Sequence, residues 1–212
     1  MAIHIFWDNS NVWGGLQQLK RLIEPEVHWV ALRAYFKNID KLVTQGREVI
    51  TRVMAGSLPP QCEDLWEYAR DLGYDTDLLH RIEDEPGKVR EQAVDEMLHL
   101  KISNAILDFD PPQTLVNLSG DGKGSDFGTS FPTQVKRALR HGWNVEIYST
   151  SMSFGKKYYK ALKEEYNEKI QLIELDDYYE HLTFVKAGDY YTRDEEGNKV
   201  YYRVEGRVVK PL

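Results

Sequence analysis

The chain has 212 residues, enough for one domain with a sizeable core and a small appendage. It is 42% hydrophobic and 29% charged with a formal net charge of −7, which excludes a protein that grips duplex DNA by charge alone, because phosphate contacts need clustered Lys and Arg. A single cysteine, Cys62, excludes an internal disulfide and a thiol-rich metal site, and fits a reducing, cytoplasmic setting. The opening "MAIHIFWDNSN" lacks the basic and apolar regions of a signal peptide. No apolar run approaches the roughly 18 residues of a membrane span.

"IHIFW" (3–7) is a short apolar run that stops at Asp8 and predicts a buried strand; "DNSN" (8–11) is suited to cap a following helix. "HWVALRAYFKNI" (28–39) has apolar residues at helical spacing, and "REVITRVMAG" (47–56) predicts a strand ending in Gly56. "QCEDLWEYARDLGY" (61–74) is an amphipathic helix that Gly73 ends, followed by a strand in "TDLLHRI" (76–82). The longest helical pattern is 88–109, with Val94, Met97, Leu98, the stem of Lys101, Ala105 and Ile106 on its buried stripe. "TLVNLSG" (114–120) is a strand, and "FPTQVKRALRHGW" (131–143) a helix with Pro132 in its first turn and Gly142 past its end. Strand, helix and strand follow in "NVEIYST" (144–150), "KKYYKALKEEYN" (156–167) and "IQLIEL" (170–175). The alternation predicts an α/β domain over 1–179, a parallel sheet flanked by helices. Residues 180–212 predict a C-terminal β-hairpin extension turning at "EEGN".

In open α/β sheets ligands bind at the carboxyl ends of strands, near where strand order reverses. Asp8 and Asp121 sit at two such ends, and Asp95 and Asp126 lie on the long helix and in the loop "GDGKGSD". Mg²⁺ and Mn²⁺ take oxygen ligands, so these carboxylates suit a hard-metal site that activates water against a phosphodiester. Glu91, Asp95 and His99 are four apart and share a helix face, a spacing that equally describes a solvated helix edge. Asp8 and "DNSN" equally suit a plain turn and cap. The glycine loop is not a phosphate-binding P-loop, because Gly120 is only two residues before Gly122-Lys123 and Gly124 follows. It also lacks the spacing of a dinucleotide fingerprint and the ligands of an EF-hand. Phosphatases of the haloacid dehalogenase type carry a comparable "GDG-x-x-D" element, but need a second Asp where Ser10 stands here.

Four stretches together resemble the NYN domain, a branch of the PIN-like ribonuclease superfamily. They are "IFWDNSNVW" (5–13), "RVMAGSLPP" (52–60) with Trp66 and "LGYD" (72–75), "REQAVDEMLHLKI" (90–102), and "LVNLSGDGKGSDF" (115–127). The likeness covers about residues 2–176. Many members place the last two carboxylates two positions apart, whereas five separate Asp121 from Asp126. The resemblance implies a PIN-like fold and a metal-dependent endoribonuclease. Asp8, Asp95, Asp121 and Asp126 would hold Mg²⁺ or Mn²⁺, and Asn11, Ser119 and Lys123 would contact the RNA. Glu91 would support the site from the same helix. Lys136, Arg137 and Arg140, the mixed run "GKKYYK" (155–160), and Tyr190, Tyr191, Tyr201 and Tyr202 are further candidates for RNA contact, or ordinary surface. A non-catalytic RNA-binding or protein-interaction module, and a haloacid dehalogenase-type phosphatase, are the alternatives. Homo-oligomerisation is left open.

Overall fold

The computed structural model describes residues 1–58, 63–80, 82–85, 88–90, 94–122 and 128–212. The first strand, β1 (Ile3–Asp8), is buried along its whole length and leads directly into α1 (Asn9–Ile23). There follow β2 (Leu32–Ala34), α2 (Phe36–Thr44), β3 (Val49–Leu58), α3 (Glu63–Asp71) and β4 (Asp75–His80). A short antiparallel pair, β5 (Ile82–Glu85) and β6 (Lys88–Arg90), precedes α4 (Val94–Asp108) and β7 (Thr114–Leu118). The chain continues through α5 (Phe131–Arg140), β8 (Asn144–Ser149), α6 (Lys156–Tyr166) and β9 (Ile170–Glu174). It ends with α7 (Tyr179–Leu182), β10 (Thr183–Val185), β11 (Gly188–Arg193) and β12 (Lys199–Val204).

The main sheet has six strands in the order β4-β3-β1-β7-β8-β9, all parallel. From β1 the chain steps outward one way to β3 and β4, then returns to the other side of β1 for β7, β8 and β9. Strand order therefore reverses between β1 and β7. Side chains alternate across the sheet. Ile3, Ile5 and Trp7 join one core with Leu16, Phe36 and Trp66, while Phe6 joins the other with Leu98, Val135, Trp143 and Tyr159. Helices thus cover both faces, which is why the parallel strands read as continuous apolar runs. The α/β architecture with a C-terminal hairpin is the one the element pattern predicts. Among the described residues, no helix is long and apolar enough to cross a membrane.

Local punctuation explains the helix ends. Ser130 accepts the Thr133 N–H at 3.2 Å as the cap of α5, and Gly73 and Gly142 take φ of +86° and +89° just past their helices. Two segments depart from the sequence pattern. The run 28–39 is not one helix: Leu32–Ala34 form β2, paired antiparallel with β10, and the helix begins at Phe36. Lys88–Arg90 pair with β5, so α4 begins at Val94 and not at 88. In both places a cross-strand partner outside the local window overrides helical spacing. On α4 the buried positions are Val94, Leu98, His99, Ile102, Ala105 and Ile106, with Met97 packed at the margin and Lys101 paired with Asp75 at 3.1 Å.

The C-terminal segment folds back on the domain. Arg207 donates from Nε and Nη2 to the two oxygens of Glu24, at 2.6 and 3.1 Å, and from Nη1 to the Thr183 carbonyl at 2.8 Å. Tyr179 donates its hydroxyl to the same Glu24 at 2.9 Å. The β11–β12 hairpin, turning at Gly197 with φ +85°, rests on this clasp, with Tyr202 and His28 in hydrogen-bond contact at 2.7 Å. Arg207→Ala leaves Glu24 without its partner in a half-buried site. We expect it to destabilise the fold by about 2 kcal/mol, read as a lower urea midpoint at unchanged slope.

Candidate functional site at the strand-order reversal

Asp8 is the last residue of β1 and the cap of α1, and only 4% of its surface is exposed. Its Oδ1 accepts the Asn11 N–H at 2.9 Å. Its Oδ2 accepts the hydroxyl of Ser119 at 3.1 Å; Ser119 is fully buried just past β7. A second link runs the other way, from the Gly120 N–H to Asn11 Oδ1 at 3.0 Å. The ends of β1 and β7 are therefore clasped where strand order reverses, the position at which open α/β sheets bind ligands. Asp121 follows, its N–H 3.4 Å from the same Ser119 hydroxyl and its carbonyl accepting the Tyr159 hydroxyl at 2.8 Å. Burial and the nearby Asp121 carboxylate push the Tyr159 phenol far up, so it remains a donor.

These bonds answer what the glycine loop does. The amides of Gly120 and Asp121 are spent on Asn11 and Ser119, so they are not offered to a phosphate as helix-capping amides would be. The glycines serve close approach. A Cβ on Gly120 would lie 2.2 Å from Ser149 Oγ and 2.7 Å from the Ser153 carbonyl oxygen, and one on Gly122 would lie 2.0 Å from the Tyr158 ring. The Gly155 N–H donates to the Gly120 carbonyl at 2.9 Å and locks the loop against the β8–α6 connection. Tyr158 and Tyr159, read from the sequence only as part of a mixed basic and aromatic run, thus wall and anchor the loop. No local pattern assigns them this role, because their partner lies on another strand.

The remaining candidates divide. Asp95 is half-buried in the first turn of α4, where an acidic residue also complements the helix dipole. His99, one turn on, is 3% exposed and packs edge-on against Phe131 with ring centroids 4.5 Å apart. Neither ring nitrogen has a hydrogen-bond partner among the described residues. Burial lowers the His99 pKa, the opposing pull of Glu96 and Asp121 being smaller, so the ring is neutral at pH 7. Asp126, Lys123 and Glu91 lie outside the described residues.

Among the described residues, no three Asp, Glu, His or Cys side chains gather into a group able to hold a metal ion. Mg²⁺ often needs only one or two carboxylates, completed by water and phosphate oxygens. Asp8 and Asp121 stand at adjacent strand ends, the Ser119 hydroxyl donating to the Asp8 carboxylate and accepting from the Asp121 backbone N–H; both side chains are oxygen donors of the kind such an ion takes.

No family model matches the chain, and no curated protein matches it. Among solved structures it is similar to a protein of unknown function from Vibrio parahaemolyticus. The two share 18% identity at a TM-score of 0.57, over 82% of this chain and 94% of that one. This likeness concerns the fold.

Gly120→Ala forces a methyl into a space already filled by Ser149 and a backbone carbonyl. We expect a loss of about 1–3 kcal/mol by denaturant melts, relieved only in part by Ser149→Gly, which leaves that carbonyl in place. His99 gives a pH signature. Its folded pKa lies below the ordinary 6.5, so the unfolded chain binds more protons between the two values. Its contribution is complete above pH 6.5 and is lost as pH falls through the folded pKa. Between pH 7.5 and 5.5 the melting temperature of His99→Leu should therefore fall less than that of the parent.

Proposed function

We propose that this chain is a metal-dependent endoribonuclease of the PIN-like type. One observation carries the reading: a nearly buried carboxylate, Asp8, is fixed by two protein donors at the strand-order reversal, beside Asp121. The likeness of four stretches to NYN domains supports the same reading and supplies RNA as the substrate class. Asp8 and Asp121 would hold Mg²⁺ or Mn²⁺, Asp95 would serve from α4, and Asp126 is the fourth carboxylate of the motif. When bound, such an ion supplies charge for the phosphate and lowers the pKa of a water.

The chain's own residues do the rest. Ser119 and the Asn11 amide hold the Asp8 carboxylate in one orientation, so it need not reorganise during the reaction. The Asn11 side chain is itself oriented, since its oxygen accepts from Gly120. That leaves its Nδ2 hydrogens, which have no acceptor among the described residues, as donors for a phosphate oxygen. The Tyr159 bond to the Asp121 backbone carbonyl fixes the main chain that carries the second carboxylate.

The test is cleavage of single-stranded and structured RNA with Mn²⁺ or Mg²⁺, and with chelator. Asp8→Asn and Asp121→Asn should abolish metal-dependent cleavage while the fold, checked by thermal melting, persists. Ser119→Ala should retain activity reduced about 10-fold or more, as expected for removing the support of a ligand. RNA retention without cleavage by the parent overturns the proposal in favour of a binding module. Turnover of small phosphomonoesters with RNA left intact points to a phosphatase.

A further inference from the structure

A groove with a largely apolar lining runs along the α4–α5 packing seam. Its inner stretch is lined by Glu96, His99, Leu100, Ser103, Thr129, Gln134 and Arg137. The outer stretch shares Ser103 and Arg137 and adds Ile106, Leu107, Arg140 and His141. The two stretches are therefore one channel with a common boundary. The inner end lies one helical turn along α4 from Asp95, at His99, and beside Thr129, which follows the β7 loop. Among its described lining residues the one carboxylate is Glu96, at the end nearer Asp95.

The groove floor is built. Gln134 is 1% exposed; its Nε2 donates to the Thr129 hydroxyl at 2.9 Å and its Oε1 accepts from the Ser103 hydroxyl at 2.9 Å. Arg137 joins this chain through Nη1, which donates to Gln134 Oε1 at 3.3 Å and to Ser103 at 3.4 Å. A guanidinium has five donors. The floor fixes one edge of it, and Nε and Nη2 have no protein acceptor among the described residues. Nor is Arg137 or Arg140 within ion-pair distance of any described carboxylate. Other cations are paired with carboxylates, among them Arg47 with Glu146, Arg207 with Glu24, Lys156 with Glu174 and Lys210 with Glu180. In a chain of net charge −7, two arginines on one helix face, one of them oriented from the groove floor, are complementary to a run of phosphates.

We propose that the α4–α5 groove is the track for the single-stranded RNA backbone on one side of the scissile bond, with Arg137 and Arg140 as its phosphate contacts. This rests on the ribonuclease reading. Arg137 and Arg140 are three apart on α5, so they are neighbours on one face of the helix. Contact is with the backbone, so the track is indifferent to sequence.

Binding is measured without cleavage, using the full chain carrying Asp8→Asn in chelator and a fluorescein-labelled 12-nucleotide poly-uridine RNA. Affinity is followed by anisotropy across a salt series. Adding Arg137→Gln and Arg140→Gln should weaken binding at least 10-fold at low salt. It should also reduce the slope of log affinity against log salt by about 1.4, two contacts at about 0.7 each. Lys37→Gln with Lys41→Gln on α2, an equal change in net charge on the other face of the sheet, should leave both readings near the parent. Equal affinities and slopes in the two double variants overturn the track, even where the parent cleaves RNA normally. No binding by the Asp8→Asn chain overturns it as well. Arginine-dependent binding by a parent that never cleaves RNA keeps the track and sinks the nuclease. Thermal melts of each variant check that α5, whose last turn carries both arginines, remains folded.

Discussion

Everything in this molecule is referred to one strand held on both sides. β1 pairs in parallel with β3 on one edge and β7 on the other, and no residue of it reaches solvent appreciably. Such a strand can end only where its backbone and its last side chain find partners, because a buried polar group left unsatisfied is costly. Asp8 solves this by accepting from the helix it starts and from the strand beside it. The carboxylate that is a chemical candidate is thus also the group that lets β1 stop.

That double duty orders the rest. The clasp between Asn11 and Gly120 brings the β7 loop beside the start of α1. The loop can lie there only because glycines admit Ser149, the Ser153 carbonyl and Tyr158 at distances a side chain would forbid. The β8–α6 connection then closes over it through Gly155 and Tyr159. Three consecutive parallel strands are tied at their carboxyl ends by side-chain and loop contacts in addition to the sheet ladder.

Most of the sheet was legible because parallel strands buried on both faces are continuous apolar runs, and "IHIFW" and "TLVNL" have no other reading. Helix ends marked by Pro132, Gly73 and Gly142 were legible for local reasons too; the Ser130 cap was not read. The exceptions share a cause. Leu32–Ala34 and Lys88–Arg90 are strands only because of partners outside the window. In the site, Asp8 and Asp121 were visible as strand-end carboxylates, and Asn11 and Ser119 as polar neighbours. Their mutual bonds were not visible, since they depend on which strand lies beside which. Neither Gly120 nor Gly122 carries a positive φ; steric room is their purpose, and that depends on neighbours from other elements.

The clasp between Arg207 and Glu24 joins residues 183 apart. Glu24 caps the far end of α1, whose first turn carries Asn11. At about 1.5 Å per residue, a 15-residue helix is a rod roughly 22 Å long, gripped at one end through Glu24 by Arg207 and joined at the other to β1. Contacts of such separation are slow to close. During synthesis Asp8 and Asn11 are therefore made well before the C-terminal end of α1 can gain its Arg207 partner.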